Sequence, residues 1–115
     1  SAGVLLFGEL DLRLHELSIQ EFYLLLSNSG GYGFLRYPEY VIKRSDNQVI
    51  ISRKEAETFL YLIFGFTSKE TALRMGISAR TVETYTMALK EKFHVKTRTE
   101  LVDTLLTAGF LSFLS

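Results

Sequence analysis

The chain of 115 residues has no cysteine, no tryptophan, one proline (Pro38) and two histidines (His15 and His94). Each shortage removes a class of protein. Without cysteine there is no disulfide framework, and two histidines cannot by themselves make up the ligand set of a structural zinc site; neither a metal nor any other cofactor is expected. Catalysis has no constellation to work with: there is no thiol nucleophile, no Gly-rich phosphate loop, and no acid or serine placed by motif beside either histidine, so an enzyme is not expected. Long apolar runs are also missing. The longest, Phe59 to Phe66, falls far short of the roughly 20 residues that a membrane-crossing helix needs, and no secretory signal is evident at the start. The expectation is a cytoplasmic protein with no membrane partner.

Net charge is lacking too, since 13 Lys and Arg offset 13 Asp and Glu. That argues mildly against a nucleic-acid partner, because phosphate neutralisation dominates such affinity. The distribution tempers the objection. From Ile51 onward nine Lys and Arg stand against seven acids, a net of +2, and the first fifty residues carry −2.

What is present is apolar material, 47% of the chain, enough for one domain with a real core or for a small domain joined to a piece of another. The most informative stretch runs from Thr67 to Val95. Thr67 with Glu70 has capping-box spacing, in which each side chain accepts from the other's backbone N–H. A short helix should follow and stop near Gly76, where the absence of a Cβ permits the left-handed conformation that closes a helix end. Ser78 offers the next N-cap. On the helix it opens, over about 78–93, Val82, Tyr85, Leu89 and Phe93 recur at spacings of three and four and form one apolar stripe. Arg80, Glu83, Thr84 and Met87 are left on the free face.

A short helix, a tight turn and a second helix with a free face is the arrangement that seats a recognition helix in the DNA major groove. An ordinary helical hairpin with a solvated face fits the spacing equally well. A resemblance separates the two. From Ile51 to about Leu106 the chain resembles the DNA-binding domain of the quorum-sensing and nitrate-response regulators, the LuxR type of helix-turn-helix. The matching residues are Glu55, Gly65, Lys69, Glu70, Ala72, Ile77, Ser78, Thr81, Val82, Thr84, Lys92, Val95, Arg98, Thr99 and Glu100, with the correct gaps over four helices.

The resemblance implies a sequence-specific, double-stranded-DNA-binding regulator of transcription. Thr67, Ser68 and Lys69 at one helix start, and Arg80 and Thr81 at the next, put hydroxyls, N–H groups and positive charge where phosphates would sit. By resemblance, Glu83, Thr84 and Met87 face base edges, and Lys92 and Arg98 are further backbone contacts. Pairing into a homodimer is implied for the last helix, through Leu101, Leu105 and Ala108, and a contact with RNA polymerase is left open. Three residues depart from the family pattern: Glu83 stands where Lys or Arg is usual, Tyr85 where His is usual, and Ala88 where Asn is frequent. A carboxylate is repelled by phosphates, although it can accept from cytosine N4. Glu83 and the neutral charge therefore support an alternative, a regulator of this type that acts through protein contacts and has weakened its hold on DNA.

The fold expected is mainly α: a four-helix LuxR-type domain over 51–115, preceded by a small or partial α+β segment over 1–50. In that segment Glu9 to Leu14 alternates as a strand does. Ser18 with Glu21 opens a short apolar helix that ends in Ser27-Asn28-Ser29-Gly30-Gly31. The Ser45-Asp46-Asn47-Gln48 turn joins two short apolar runs in a hairpin. Asp11 and Asp46 stand alone, without the acidic cluster that would hold magnesium. Ser52 with Glu55 opens the first helix of the DNA-binding unit, which is apolar nearly all round and calls for cover from the N-terminal half. Thr97 with Glu100 opens the last helix, and a hydrophobic tail, Phe110 to Leu114, follows Gly109.

Overall fold

A computed structural model describes residues 14–28, 38–44 and 47–114. Strand β1 (Leu14–Ser18) leads straight into helix α1 (Ile19–Asn28), followed by β2 (Glu39–Lys43) and β3 (Gln48–Ser52). The second part is helical: α2 (Arg53–Ile63), α3 (Ser68–Met75), α4 (Ala79–Lys92) and α5 (Arg98–Leu114). The protein is thus mostly helical with a small three-stranded sheet near its N-terminal side.

The sheet has the order β1-β2-β3. β2 and β3 form the expected antiparallel hairpin, with Glu39 opposite Ser52 and Lys43 opposite Gln48, closed by a bond from Arg44 N–H to the Asn47 carbonyl at 2.8 Å. β1 pairs with β2 in parallel, Leu14 opposite Glu39 and Ser18 opposite Lys43. That strand begins where the alternating stretch ends. Most of the stretch, Glu9 to Arg13, lies outside the described residues. Parallel strands join through a crossover and not a tight turn, so no local turn signal marks β1 in the sequence.

The capping boxes form as spaced. Ser18 N–H donates to Glu21 Oε1 at 2.8 Å and Ser18 Oγ accepts from Glu21 N–H at 3.0 Å. Ser52 closes β3 and caps α2 at once, with its own N–H donating to Glu55 Oε1 at 2.8 Å. The hairpin and the first helix of the LuxR-like unit are therefore rigidly joined.

One hydrophobic cluster spans both halves. Phe22 from α1 and Tyr40, Ile42, Val49 and Ile51 from the sheet pack with Phe59 and Leu60 of α2, Leu89 and Phe93 of α4, and Leu101 and Leu105 of α5. Aromatic contacts run through it: Phe22 lies 5.9 Å from Phe59, and Phe59 meets Phe93 edge-on at 5.5 Å. Arg44 also sits over the Phe93 ring at 5.6 Å. Residues before and after position 50 thus share a core, and α2 receives the cover that its all-round apolar surface demands. The backbone stays helical through Gly109, so the hydrophobic tail continues α5.

Candidate nucleic-acid interface

Helix α3 starts at Thr67, whose Oγ1 accepts from Glu70 N–H at 3.1 Å while its N–H donates to Glu70 Oε1 at 2.8 Å. It ends at Gly76, with φ 69° and ψ 34°. That left-handed backbone suits glycine, and it lets Ile77 N–H reach back to the Ala72 carbonyl at 3.1 Å. The chain then reverses within three residues. Ser78 Oγ accepts from Thr81 N–H at 3.0 Å and lies 2.8 Å from the Thr81 hydroxyl, which fixes where α4 begins.

Val82 and Leu89 are fully buried and Phe93 nearly so, while Tyr85 is half-buried, so the predicted stripe is the inner face of α4. Arg80, Glu83, Thr84 and Met87 are all exposed on the outer side, Met87 to 59%. Thr84 donates its hydroxyl proton to the Arg80 carbonyl at 3.0 Å. Lys69 and Arg80 are exposed at the starts of the two helices, and neither enters an ion pair among the described residues. The structure brings Thr67, Ser68, Lys69, Arg80, Thr81, Glu83, Thr84 and Met87 onto the two helices of one helix-turn-helix.

The other predicted site residues have work inside the protein. Lys92 Nζ pairs with Glu55 Oε1 at 2.8 Å, an oxygen that also caps α2. This clamps the last turn of α4 to the first turn of α2. The Arg98 guanidinium donates to the Phe66 carbonyl and ties the start of α5 to the loop after α2. Leu101 and Leu105, expected to mediate pairing, are fully buried in the chain's own core. The apolar stripe on α5 is thus covered by α1, α2 and α4 of the same chain, which leaves the outer side of this helix to a partner. Ala108 lies outside the residues whose side chains are described. Among the described side chains of this helix Thr99, Glu100, Asp103, Leu106 and Thr107 are exposed, the last three beside the buried Leu105.

Sequence reasoning missed the Glu55–Lys92 clamp, although both residues carried the resemblance, because a separation of 37 residues leaves no periodic signal. Glu55→Ala should cost roughly 1–3 kcal/mol in urea unfolding, since it removes a helix cap and leaves Lys92 without its anion. Glu55→Gln should cost less, because an amide oxygen can still cap. Equal stability of all three proteins would show that the clamp contributes nothing.

The carboxylates of Glu70 and Glu100 are held below the ordinary Glu range by N–H donors. Glu70 is lowered first by the Thr67 backbone N–H, and Glu100 first by that of Lys96, with the hydroxyl and backbone of Thr97 adding to it. A depressed folded-state value means stability that is fully present above the ordinary value of about 4.5 and lost as pH falls through the lowered one. Wild-type protein should therefore lose more unfolding free energy on acidification across that window than the Glu70→Gln/Glu100→Gln double variant, whose caps do not titrate. Parallel pH profiles by denaturant unfolding would refute this.

Residues 49–105 match the family described as bacterial regulatory proteins, luxR family. That stretch belongs to this family, and it holds all but the first residue of β3, the helix-turn-helix and the clamp. Among curated proteins, the transcriptional activator protein ExaE of Pseudomonas putida is 38% identical over 61 residues, covering 53% of this chain. The match spans 28% of that relative's length. No solved structure matches the chain. Among the described residues, no group of acidic or histidine side chains could hold a metal ion and no helix is long and apolar enough to cross a membrane.

Proposed function

We propose that this chain is the DNA-binding part of a bacterial transcription regulator, with α4 as the recognition helix in the major groove of duplex DNA. The observation that carries the reading is the exposed face Arg80, Glu83, Thr84 and Met87 on a helix whose opposite face is locked into the core. A helix held this firmly presents side chains at fixed spacing, which reading base edges requires. Lys69 and Arg80, which enter no ion pair among the described residues, would position the domain on phosphates. Two copies would bind paired half-sites and meet through Asp103, Leu106 and Thr107 of α5, since the inner side of that helix is already occupied. Its neutral charge places the expected affinity at the salt-sensitive, modest end.

A second reading, action through protein contacts, draws support from Leu73. It is 83% exposed on α3, beside a shallow depression of about 430 Å³ lined by Lys69, Ala72, Gly76, Ile77 and Ala79. Titrating the purified protein against a random duplex pool at low salt, with sequencing of the retained fraction, separates the readings. Enrichment of a motif supports base recognition. Absence of retention at low salt would remove it.

A further inference from the structure

Resting on that reading, the chemistry of the exposed face says which bases it accepts. Glu83 offers only acceptors, and among the described residues no cation pairs with it. Thr84 has one O–H, and it is spent on the Arg80 carbonyl at 3.0 Å, so toward DNA its hydroxyl can only accept. Thr86, on the same helix, likewise spends its proton on the Val82 carbonyl at 2.9 Å. Met87, one turn beyond Glu83 and 59% exposed, is apolar with at most a weak acceptor sulfur. Glu83, Thr84 and Met87 together carry no free hydrogen-bond donor.

Such a face cannot pair with every base edge. In the major groove guanine presents two acceptors, N7 and O6, which a carboxylate repels; cytosine presents the N4 amino donor and thymine its C5 methyl. Adenine also offers an N6 donor, but its N7 acceptor lies alongside and asks for a donor in return, which Glu83 lacks. We propose that the α4 face reads pyrimidines, Glu83 accepting from a cytosine amino group and Met87 covering a thymine methyl nearby. Purine selectivity elsewhere in the site would have to come from Arg80, at the other end of the face.

Two changes test this in the full chain, both on exposed positions that leave the core untouched. Glu83→Gln adds a donor beside the acceptor, the pair that matches adenine N6 and N7, so the enriched base at one position should move from cytosine to adenine. The cytosine preference of wild-type protein at that position should be roughly fivefold or more, the lower end of what one base contact supplies. Replacing thymine by uracil in the enriched duplex removes only the methyl group and should weaken binding about fourfold, the value of one buried methylene-sized group. Met87→Ala should abolish that uracil sensitivity. If the wild type enriches a motif, yet Glu83→Gln leaves every position unchanged and uracil costs nothing, the pyrimidine assignment is wrong and DNA binding stands. If neither protein retains any duplex at low salt, while circular dichroism shows both folded, the DNA-binding reading falls and this inference falls with it.

Discussion

Leu105→Asp is expected to unfold the protein, whereas the same charge at the next residue, in Leu106→Asp, should leave it folded and separate its copies. Leu105 is fully buried among Phe22, Phe59 and Leu101 in the shared cluster. Losing such a leucine costs about 2–5 kcal/mol through the cavity alone, and an unpaired carboxylate in its place adds several more. The sum reaches the roughly 5–15 kcal/mol that holds a domain of this size together. Leu106 is 41% exposed, so an aspartate there stays hydrated and should alter stability by about 1 kcal/mol at most. Far-UV circular dichroism with sedimentation reads both outcomes: no cooperative unfolding transition for Leu105→Asp, and a native spectrum with a monomer for Leu106→Asp. A folded Leu105→Asp would contradict its burial. Wild-type protein that stays monomeric both free and on DNA would sink pairing through α5.

The same pair of neighbours shows what a sequence can tell and what it cannot. Apolar spacing on α5 marks which residues leave water, and Leu101 and Leu105 do; it does not say whether the surface that covers them is internal or a partner's. The answer lies in α1, whose Phe22 is far away in the chain. Features set by neighbours in sequence were readable throughout: the capping pairs at Ser18, Ser52, Thr67 and Thr97, the left-handed Gly76, and the inward stripe of α4. Features set by residues far apart were not. The parallel pairing of β1, the Glu55–Lys92 clamp and the tie from Arg98 to Phe66 all join segments with no shared periodicity. The candidate site divides the same way: its exposed face follows from helical spacing, while the internal duties of Lys92 and Arg98 required the packed structure.

That division leads to the second large effect, in which basic residues of similar appearance behave differently. Lys69 and Arg80 are exposed and enter no ion pair among the described residues. Arg74, by contrast, stacks over the Phe66 ring at 4.0 Å and donates to the Glu70 carbonyl at 3.3 Å, and Lys92 is clamped to Glu55 at 2.8 Å. A phosphate contact contributes about 0.9 to the slope of log affinity against log salt, which at about 0.1 M salt amounts to roughly eightfold in affinity. Lys69→Ala and Arg80→Ala should each weaken duplex binding by about that factor, and together by about sixtyfold, with the slope falling by about 1.8. The loss should be the same for every sequence tested, because phosphates carry no base identity. Lys92→Ala should do the reverse, lowering the urea midpoint while leaving the salt slope close to that of wild type. Fluorescence anisotropy of labelled duplexes from 50 to 200 mM salt measures the wild type and all four variants. Unchanged slopes for Lys69→Ala and Arg80→Ala would place both cations away from the DNA, and a slope lost only in Lys92→Ala would mean that the clamp opens when DNA binds.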